Sequence, residues 1–264
     1  MPGLLPDVDP DGLLEYSVVF TDRSLNHMSQ SFQNVMNDIS RTLKKAYNAK
    51  AVALVPGGGT FGMEAIARQF ATGKKCLVIR NGWFSFRWTQ IFEAGNIPSE
   101  TTVLKARQVD DGKQAAFAPA PIEEVVATIE AKKSDVVFAP HVETSSGMML
   151  PEDYICAVAD AVHAVGGLFV LDCVASGTIW VDMEKCGVDV IVGAPQKGWS
   201  GSPCSGLVML GALARERIDS TTSTSFACDL LKWLQIMEAY ENGGHAYHAT
   251  MPLSLIHISE PTRQ

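Results

Sequence analysis

The chain has 264 residues, 47% of them apolar, and its formal net charge at pH 7 is −8. This length and apolar content can supply one large hydrophobic core, so we expect one large domain, or one domain and part of another. Because the net charge is negative and basic residues form no block, we expect no nucleic-acid partner. No apolar stretch is long enough to span a bilayer, so we expect no membrane partner.

The N-terminus and the cysteines favour a cytoplasmic protein. The first seven residues contain neither a basic segment nor a long apolar segment, so we predict no signal peptide. The six cysteines show no CxxC spacing, which argues against a zinc site and against a disulfide framework. His27, His163 and His245 are isolated in the sequence, and we therefore predict no metal site.

Apolar periodicity alternates between helix spacing and strand spacing along the chain. Residues 24–47 carry apolar side chains at helical spacing and predict a first helix. The predicted strands that follow are 51–55, 76–79, 102–104, 136–139, 167–171, 188–192 and 206–210. The predicted helices between and after them are 63–70, 84–93, 122–131, 152–165 and 228–240. This alternation predicts an α/β fold, a mostly parallel seven-stranded sheet with helices on both faces.

A glycine-rich segment at residues 56–60, PGGGT, lies between the first predicted strand and the next helix. Glycines let backbone N–H groups approach an anion, and Thr60 adds a hydroxyl near a helix N-terminus, which favours phosphate. Two other hypotheses remain. The spacing G-x-G-x-x-G, which ends at Gly62, is typical of dinucleotide sites, but the next strand ends at Arg80 where that motif requires an acid. A tight turn would also require glycine.

Two further loops follow predicted strands. Residues 81–87, NGWFSFR, are rich in aromatics, which either stack on a flat cofactor or pack the following helix against the sheet. Residues 141–147, HVETSSG, contain hydroxyls that either bind a phenolate oxygen or form a polar loop before the next helix.

The strongest functional signal comes from Asp172 and Lys197, which follow two consecutive buried strands. Either residue alone is commonly a turn former or a solvated side chain. Together they lie at the edge where open α/β sheets bind ligands. A lysine amine forms the Schiff base with the aldehyde of pyridoxal 5′-phosphate (PLP), and a carboxylate keeps the pyridine nitrogen protonated. The pair therefore predicts a PLP site.

The glycine-rich loop, the aromatic turn, the ETSSG loop, residues 172–176 (DCVAS) and the Gln196-Lys197 pair occur in this order. This series resembles the class V aminotransferases of fold type I, close to the alanine–glyoxylate and serine–glyoxylate group. The resemblance covers about residues 26–252 and is strongest between Asp172 and Lys197.

The resemblance implies a role for each matching residue. Gly58, Gly59 and Thr60 would hold the cofactor phosphate, and Gln196 would assist there. The remaining contacts surround the ring. They are the stacking aromatic Phe84, Ser145 near the phenolate oxygen, Asp172 at the pyridine nitrogen, Val174 packed on the ring, and Lys197 in the Schiff base.

The resemblance also implies a homodimer with a shared active site, because Tyr247 and Thr250 would reach the phosphate of the neighbouring subunit. We expect an N-terminal segment and helix over 1–48 and a PLP-binding large domain over 49–252. Residues 253–264 resemble the translation of a sequencing adapter, so we expect a non-native tail. The smaller C-terminal domain of the family, with its carboxylate-binding arginine, is expected to be missing.

These features predict a transaminase that exchanges an amino group between a small amino acid and a 2-oxo acid such as glyoxylate or pyruvate. Lys197 would act as the base at Cα, and Asp172 would keep the ring protonated. Two alternatives remain. A PLP-dependent lyase or desulfurase would use the same two residues, and a truncated chain would bind the cofactor without activity.

Overall fold

The computed structural model describes residues 30–244, and in this part of the chain strands and helices alternate as predicted. The strands are β1 (Ala51–Pro56), β2 (Lys75–Arg80), β3 (Glu100–Lys105), β4 (Arg107–Gln108), β5 (Phe117–Ala118), β6 (Val136–Pro140), β7 (Val142–Glu143), β8 (Met148–Met149), β9 (Leu168–Asp172), β10 (Val190–Gly193) and β11 (Ser205–Leu210). The helices are α1 (Gln30–Tyr47), α2 (Gly59–Ile66), α3 (Trp83–Gly95), α4 (Ile122–Lys132), α5 (Glu152–Ala164), α6 (Met183–Cys186), α7 (Ala212–Ile218) and α8 (Leu230–Glu241).

Seven strands form one sheet in the order β1-β11-β10-β9-β6-β2-β3. The pairs β10–β9, β9–β6, β6–β2 and β2–β3 are parallel, whereas β11 runs antiparallel to both β1 and β10. The expectation of a mostly parallel seven-stranded sheet is confirmed. As a result, the carboxyl ends of β1, β2, β6, β9 and β10 lie at one edge of the sheet, together with the start of β11.

Helices cover both faces of this sheet, as expected. Consecutive residues of a strand point to opposite faces. Val192 of β10 faces α2, since its Cγ2 lies 3.1 Å from the position of a Cβ at Gly62. The next residue, Gly193, faces α1, and the hydroxyl of Tyr47 lies 3.8 Å from its own Cβ position. The strands β6, β9, β10 and β11 are buried along their whole length, which explains their continuous apolar runs.

One helix begins earlier in the structure than the sequence predicts. We predicted a helix over 63–70, but α2 begins at Gly59 and continues as a π-helical turn over Ala67–Ala71. Gly57 and Gly58 have φ of +116° and +136°, a backbone region that glycine adopts readily. The chain therefore leaves β1 and enters α2 within two residues, and the start of the helix lies close to the sheet.

Helix α1 packs against α8 and the adjacent β1 edge of the sheet. The rings of Phe32 and Tyr240 lie 5.8 Å apart, and Lys44 Nζ lies 2.7 Å from Glu241 Oε1. The domain boundaries given above stay a prediction. Among the helices of residues 30–244, none has both the length and the apolar character needed to cross a membrane.

Candidate functional site

The carboxyl edge of the sheet carries the predicted loops. The glycine-rich segment follows β1, the aromatic turn follows β2, the ETSSG loop follows β6, Asp172 ends β9, and the Lys197 turn connects β10 to β11. This is the edge at which open α/β sheets bind ligands.

The glycine-rich loop packs closely against two of the other loops. A Cβ at Gly59 would lie 3.3 Å from both Val174 Cγ2 and Ala194 Cβ, so this position has little room for a side chain. A Cβ at Gly58, by contrast, would have no atom of the described residues within 4 Å, so it borders open space in this part of the structure. In the same part of the chain, no side chain caps the start of α2. Within residues 30–244, the N–H groups of Gly59 and Thr60 donate no hydrogen bond. Such N–H groups at a helix start fit a bound anion.

A cation lies beside this loop. Arg87 Nη1 donates a hydrogen bond of 3.2 Å to Thr60 Oγ1, and the Arg87 guanidinium carbon lies 5.7 Å from the centre of the Phe84 ring. The structure thus brings Thr60 and Phe84 together through a residue to which the sequence analysis gave no role. Its positive charge adds to the preference of the helix start for an anion.

Asp172 is 7% exposed, and within the described residues its carboxylate accepts one hydrogen bond, from Val174 N–H to Oδ1 at 3.0 Å. Burial raises the pKa of Asp172 to about 6, although the Val174 N–H and the Arg87 charge act in the opposite direction. A buried carboxylate with spare acceptor capacity fits a cationic N–H partner. A protonated pyridine nitrogen is such a partner.

Glu143 organises the aromatic turn and the ETSSG loop. Its side chain is fully buried, and its carboxylate accepts from the N–H groups of Phe84 at 3.2 Å and Ser85 at 2.8 Å. The hydroxyls of Ser85 and Ser145 donate to it at 2.7 and 2.6 Å. Burial alone would raise the pKa of Glu143, but these hydrogen bonds outweigh burial and hold the pKa below its usual value. The carboxylate therefore stays charged at the N-terminus of α3.

Ser145 has two partners in the described residues. Its hydroxyl donates to Glu143 and accepts from the Trp83 N–H at 2.8 Å. A contact between Ser145 and a phenolate oxygen stays a prediction. A Cβ at Gly82 would lie only 2.3 Å from Ser145 Oγ, so the aromatic turn and the ETSSG loop touch at a position without a side chain.

Phe86 of the aromatic turn and the following Trp88 have a packing role, as one of the two hypotheses proposed. Trp88 is fully buried, with its ring 4.6 Å from that of Phe138 in β6. Phe86 packs under the guanidinium of Arg80, whose central carbon lies 4.5 Å from the centre of the ring. Phe84 and Trp83 differ, because 40% and 65% of their surfaces are exposed at the carboxyl edge.

A buried contact between a histidine and a serine ties the ETSSG loop to the segment after Asp172. His141 Nδ1 lies 2.7 Å from Ser176 Oγ, and both side chains are 4% exposed. The His141 backbone N–H also donates to the carbonyl of Asp172 at 2.9 Å. Burial lowers the pKa of His141, which favours the neutral ring at pH 7.

The Lys197 turn is held by its backbone, while its side chain is exposed. Lys197 N–H donates to Ala194 O at 3.3 Å, and the side chains of Gln196 and Lys197 both face solvent. No described residue forms a hydrogen bond or ion pair with Lys197 Nζ. A Cβ at Gly198 would lie 1.8 Å from Gly177 O, so the turn packs directly on the segment after Asp172. The amine is therefore available to a ligand.

Tyr247 and Thr250 lie outside the described residues. In residues 30–244, no group of three or more His, Cys, Asp or Glu residues is placed to hold a metal ion. Glu143 and Arg87 are the two site residues that sequence reasoning missed. Both belong to segments quoted above, but their partners are distant in sequence, and no local spacing identifies them.

The fold and this edge of the sheet define the class of protein. A family model described as aminotransferase class-V matches residues 13–242, and the chain therefore belongs to the class-V aminotransferase family.

Its curated relatives include alanine–glyoxylate aminotransferase 1 of Saccharomyces cerevisiae, which is 26% identical over 251 residues, or 88% of this chain and 62% of the relative. The L-aspartate–glyoxylate aminotransferase of Paracoccus denitrificans is 26% identical over 236 residues, 88% of this chain and 57% of the relative. Among solved structures, the ureidoglycine–glyoxylate aminotransferase of Bacillus subtilis matches with a TM-score of 0.76 and 21% identity, over 93% of this chain and 61% of that chain. The chain thus spans about three fifths of the length of these relatives.

Proposed function

We propose that this chain is the cofactor-binding part of a PLP-dependent aminotransferase. Such an enzyme would exchange an amino group between a small amino acid and a 2-oxo acid, with glyoxylate or pyruvate as the oxo acid. Membership of the class-V family and two relatives named for glyoxylate support this proposal. The observation that carries it is the placement of buried Asp172 and exposed Lys197 on touching loops, beside an uncapped helix start.

The residues present fit the cofactor at both of its charged ends. The N–H groups of Gly59 and Thr60, with the Thr60 hydroxyl, would bind the phosphate, and Gln196 would assist. Asp172 would bind the protonated ring nitrogen, and Val174 and Phe84 would pack against the ring.

When bound, PLP supplies an electron-withdrawing ring that stabilises negative charge at the substrate Cα. The residues of the chain supply the proton transfers and the charge balance. Lys197 Nζ would take the proton from Cα and deliver it again later in the reaction. Because the pKa of Asp172 is raised only to about 6, the carboxylate is mostly ionised at pH 7. Its burial then makes the pairing with a cationic N–H strong.

The proposal includes a cytoplasmic homodimer with a shared active site, in which Tyr247 and Thr250 serve the neighbouring subunit. Exposed aromatic side chains at the carboxyl edge support a covering partner. Phe61 and Trp83 are 49% and 65% exposed, although side chains of this size are usually buried.

The test is spectroscopic and chemical. The purified protein is mixed with PLP, and a visible absorbance band that disappears on borohydride reduction is expected. Peptide mapping should then locate the reduced cofactor on Lys197. Lys197→Ala should abolish the band, whereas Lys232→Ala, which removes an exposed lysine of α8, should leave it unchanged. Labelling of any other lysine would contradict the assignment.

The reaction class is tested in a second experiment with amino donors and glyoxylate or pyruvate as acceptors. Transfer of the amino group to the acceptor is expected. Release of pyruvate or sulfide without an acceptor would instead identify the lyase or desulfurase alternative. Binding of PLP without turnover would identify a cofactor-binding fragment.

A further inference from the structure

The segment that begins with α6 packs along one face of helix α5, with contacts at both ends of that face. Lys185 Nζ lies 2.5 Å from Glu152 Oε1 at one end of this face. His163 Nε2 lies 2.9 Å from Asp189 Oδ2 at the other end. The face therefore runs along the whole of α5, from its first residue to its last turn.

Two cysteines lie between these two end contacts. Positions 152, 156, 159 and 163 are four, three and four residues apart, so they share one face of α5. A Cβ at Gly187 would lie 2.9 Å from Ala159 Cβ, which shows how closely the two segments approach. Cys156 and Cys186 therefore face each other between these contacts, and the nearby Cys156 thiol contributes to the raised pKa of Cys186. Local sequence spacing does not reveal this pair, because its members are separated by β9.

The two thiols differ in access. Cys156 is half-buried, whereas Cys186 is 3% exposed. Burial and the neighbouring thiol raise the pKa of Cys186 to about 12. A reagent in solution therefore meets Cys156 first, and Cys186 can react only with a group already attached to Cys156. Close placement compensates for a low fraction of thiolate in such a second step.

We propose that Cys156 and Cys186 form an oxidisable pair that a low-molecular-weight disulfide, such as oxidised glutathione, converts into an intramolecular disulfide. In the first step, the Cys156 thiolate attacks one sulfur of oxidised glutathione, and one glutathione thiolate leaves. In the second step, Cys186 loses its proton and attacks the Cys156 sulfur, and the second glutathione thiolate leaves. The two leaving groups take up the two protons. The cysteine pair is oxidised by two electrons, and glutathione disulfide is reduced to two thiols.

The bond would tie α5 to α6 and close a loop that contains β9. Asp172 and the segment that packs on Gly198 lie inside this loop. Closing a loop removes conformations from the unfolded chain, so the oxidised protein should resist unfolding more than the reduced protein. Oxidation would thus stabilise the part of the sheet that carries the proposed ring-binding carboxylate.

The test exposes the folded chain to buffers of increasing ratio of oxidised to reduced glutathione, followed by peptide mapping without reduction. We expect loss of two hydrogens and a peptide pair linked through Cys156 and Cys186. The unfolding temperature should rise on oxidation and return to its starting value with dithiothreitol. Cys186→Ser should instead hold a single glutathione on Cys156. Cys156→Ser should leave Cys186 unmodified, and it keeps the test available if the buried substitution prevents folding.

Cys204 provides the matched control, because it is also half-buried but lies in a different loop. Cys204→Ser should leave the disulfide and the temperature shift unchanged. A stable glutathione adduct on Cys156 in the wild-type chain would overturn the proposal. A disulfide between Cys186 and the buried Cys173 would overturn it too, as would no change in thiol content at any glutathione ratio.

Discussion

The hydrogen bonds to Glu143 give a prediction that needs no cofactor. Glu143→Gln keeps the shape of the side chain but removes its charge and replaces one acceptor oxygen with an NH2 group. Five hydrogen bonds end on this carboxylate, three at Oε1 and two at Oε2. Hydroxyl donors can rotate away from the new NH2 group, but backbone N–H groups cannot. In either orientation of the amide, at least one N–H of Phe84, Ser85 or Ser145 loses its acceptor.

The expected cost follows from these losses. A buried donor left without a partner costs about 1–3 kcal/mol, and loss of a negative charge at a helix N-terminus costs about 0.3–2 kcal/mol. We therefore expect Glu143→Gln to lower the free energy of unfolding by about 3 kcal/mol. Because the pKa of Glu143 is lowered in the folded state, its contribution is present above the unfolded pKa and is lost as the pH falls through the folded pKa. The variant should lack this part of the acid sensitivity.

Urea unfolding followed by tryptophan fluorescence measures the difference. Glu124→Gln is the matched control, because Glu124 forms an ion pair with Arg107 at 2.6 Å on the surface and its side chain is 33% exposed. Such a pair contributes about 0–1 kcal/mol. If Glu143→Gln is no more destabilising than Glu124→Gln, the reasoning from buried hydrogen bonds is refuted.

Three further predictions concern stability. Asp172→Asn should raise the free energy of unfolding at pH 7 without cofactor by about 3 kcal/mol, since burial raises the pKa of Asp172 from 3.8 to about 6 and the ionised form destabilises the fold above that pH. The gain should vanish below pH ~4, and an unchanged stability at pH 7 would contradict it. The hydrogen bond with Asp189 raises the pKa of His163, so this pair stabilises the fold mainly at low pH. His163→Gln should therefore lower the free energy of unfolding by less than about 1 kcal/mol at pH 6, and by less again as the pH rises through the folded pKa. A larger loss of stability at pH 9 than at pH 6 would contradict this prediction. Gly82→Ala should lower the free energy of unfolding by about 2–3 kcal/mol, because its Cβ would lie 2.3 Å from the Ser145 hydroxyl oxygen. The control Gly73→Ala, which has φ of +71° and no described atom within 4 Å of its Cβ, should lower it by about 1 kcal/mol. Equal midpoints in thermal denaturation would exclude the steric argument.

The strands were predictable because burial on both faces leaves a continuous apolar run, as in β9 and β10. The direction of β11 was not predictable from its own residues, because antiparallel and parallel buried strands have the same composition. The start of α2 was placed late for a different reason. Helical periodicity becomes visible only where apolar side chains begin, at Met63, whereas the helix begins at Gly59 because its first N–H groups require no partner within the helix.

The placement of Asp172 and Lys197 at one edge of the sheet was predictable from the sequence, whereas their roles toward a cofactor stay a prediction. Asp172 and Lys197 follow buried strands, and parallel strands bring their carboxyl ends to one edge. The role of Glu143 was not predictable, since its partner Ser85 is 58 positions away and the contact depends on the packing of two loops. Arg87 reaches Thr60 over 27 positions for the same reason. Contacts of this kind arise from tertiary structure, which a periodic pattern does not encode.

The position of β1 has a consequence for synthesis on the ribosome. This strand is the first of the sheet to be translated, yet within the described sheet its neighbour is β11, the last. The backbone groups of β1 cannot pair with β11 until more than half of the chain has been synthesised after β1. An unpaired apolar strand is prone to association with other chains. The glycine-rich loop that follows β1 reaches its final position only at this late step. Chaperone occupancy should therefore peak on nascent chains that end before Leu210 and fall once β11 has left the exit tunnel.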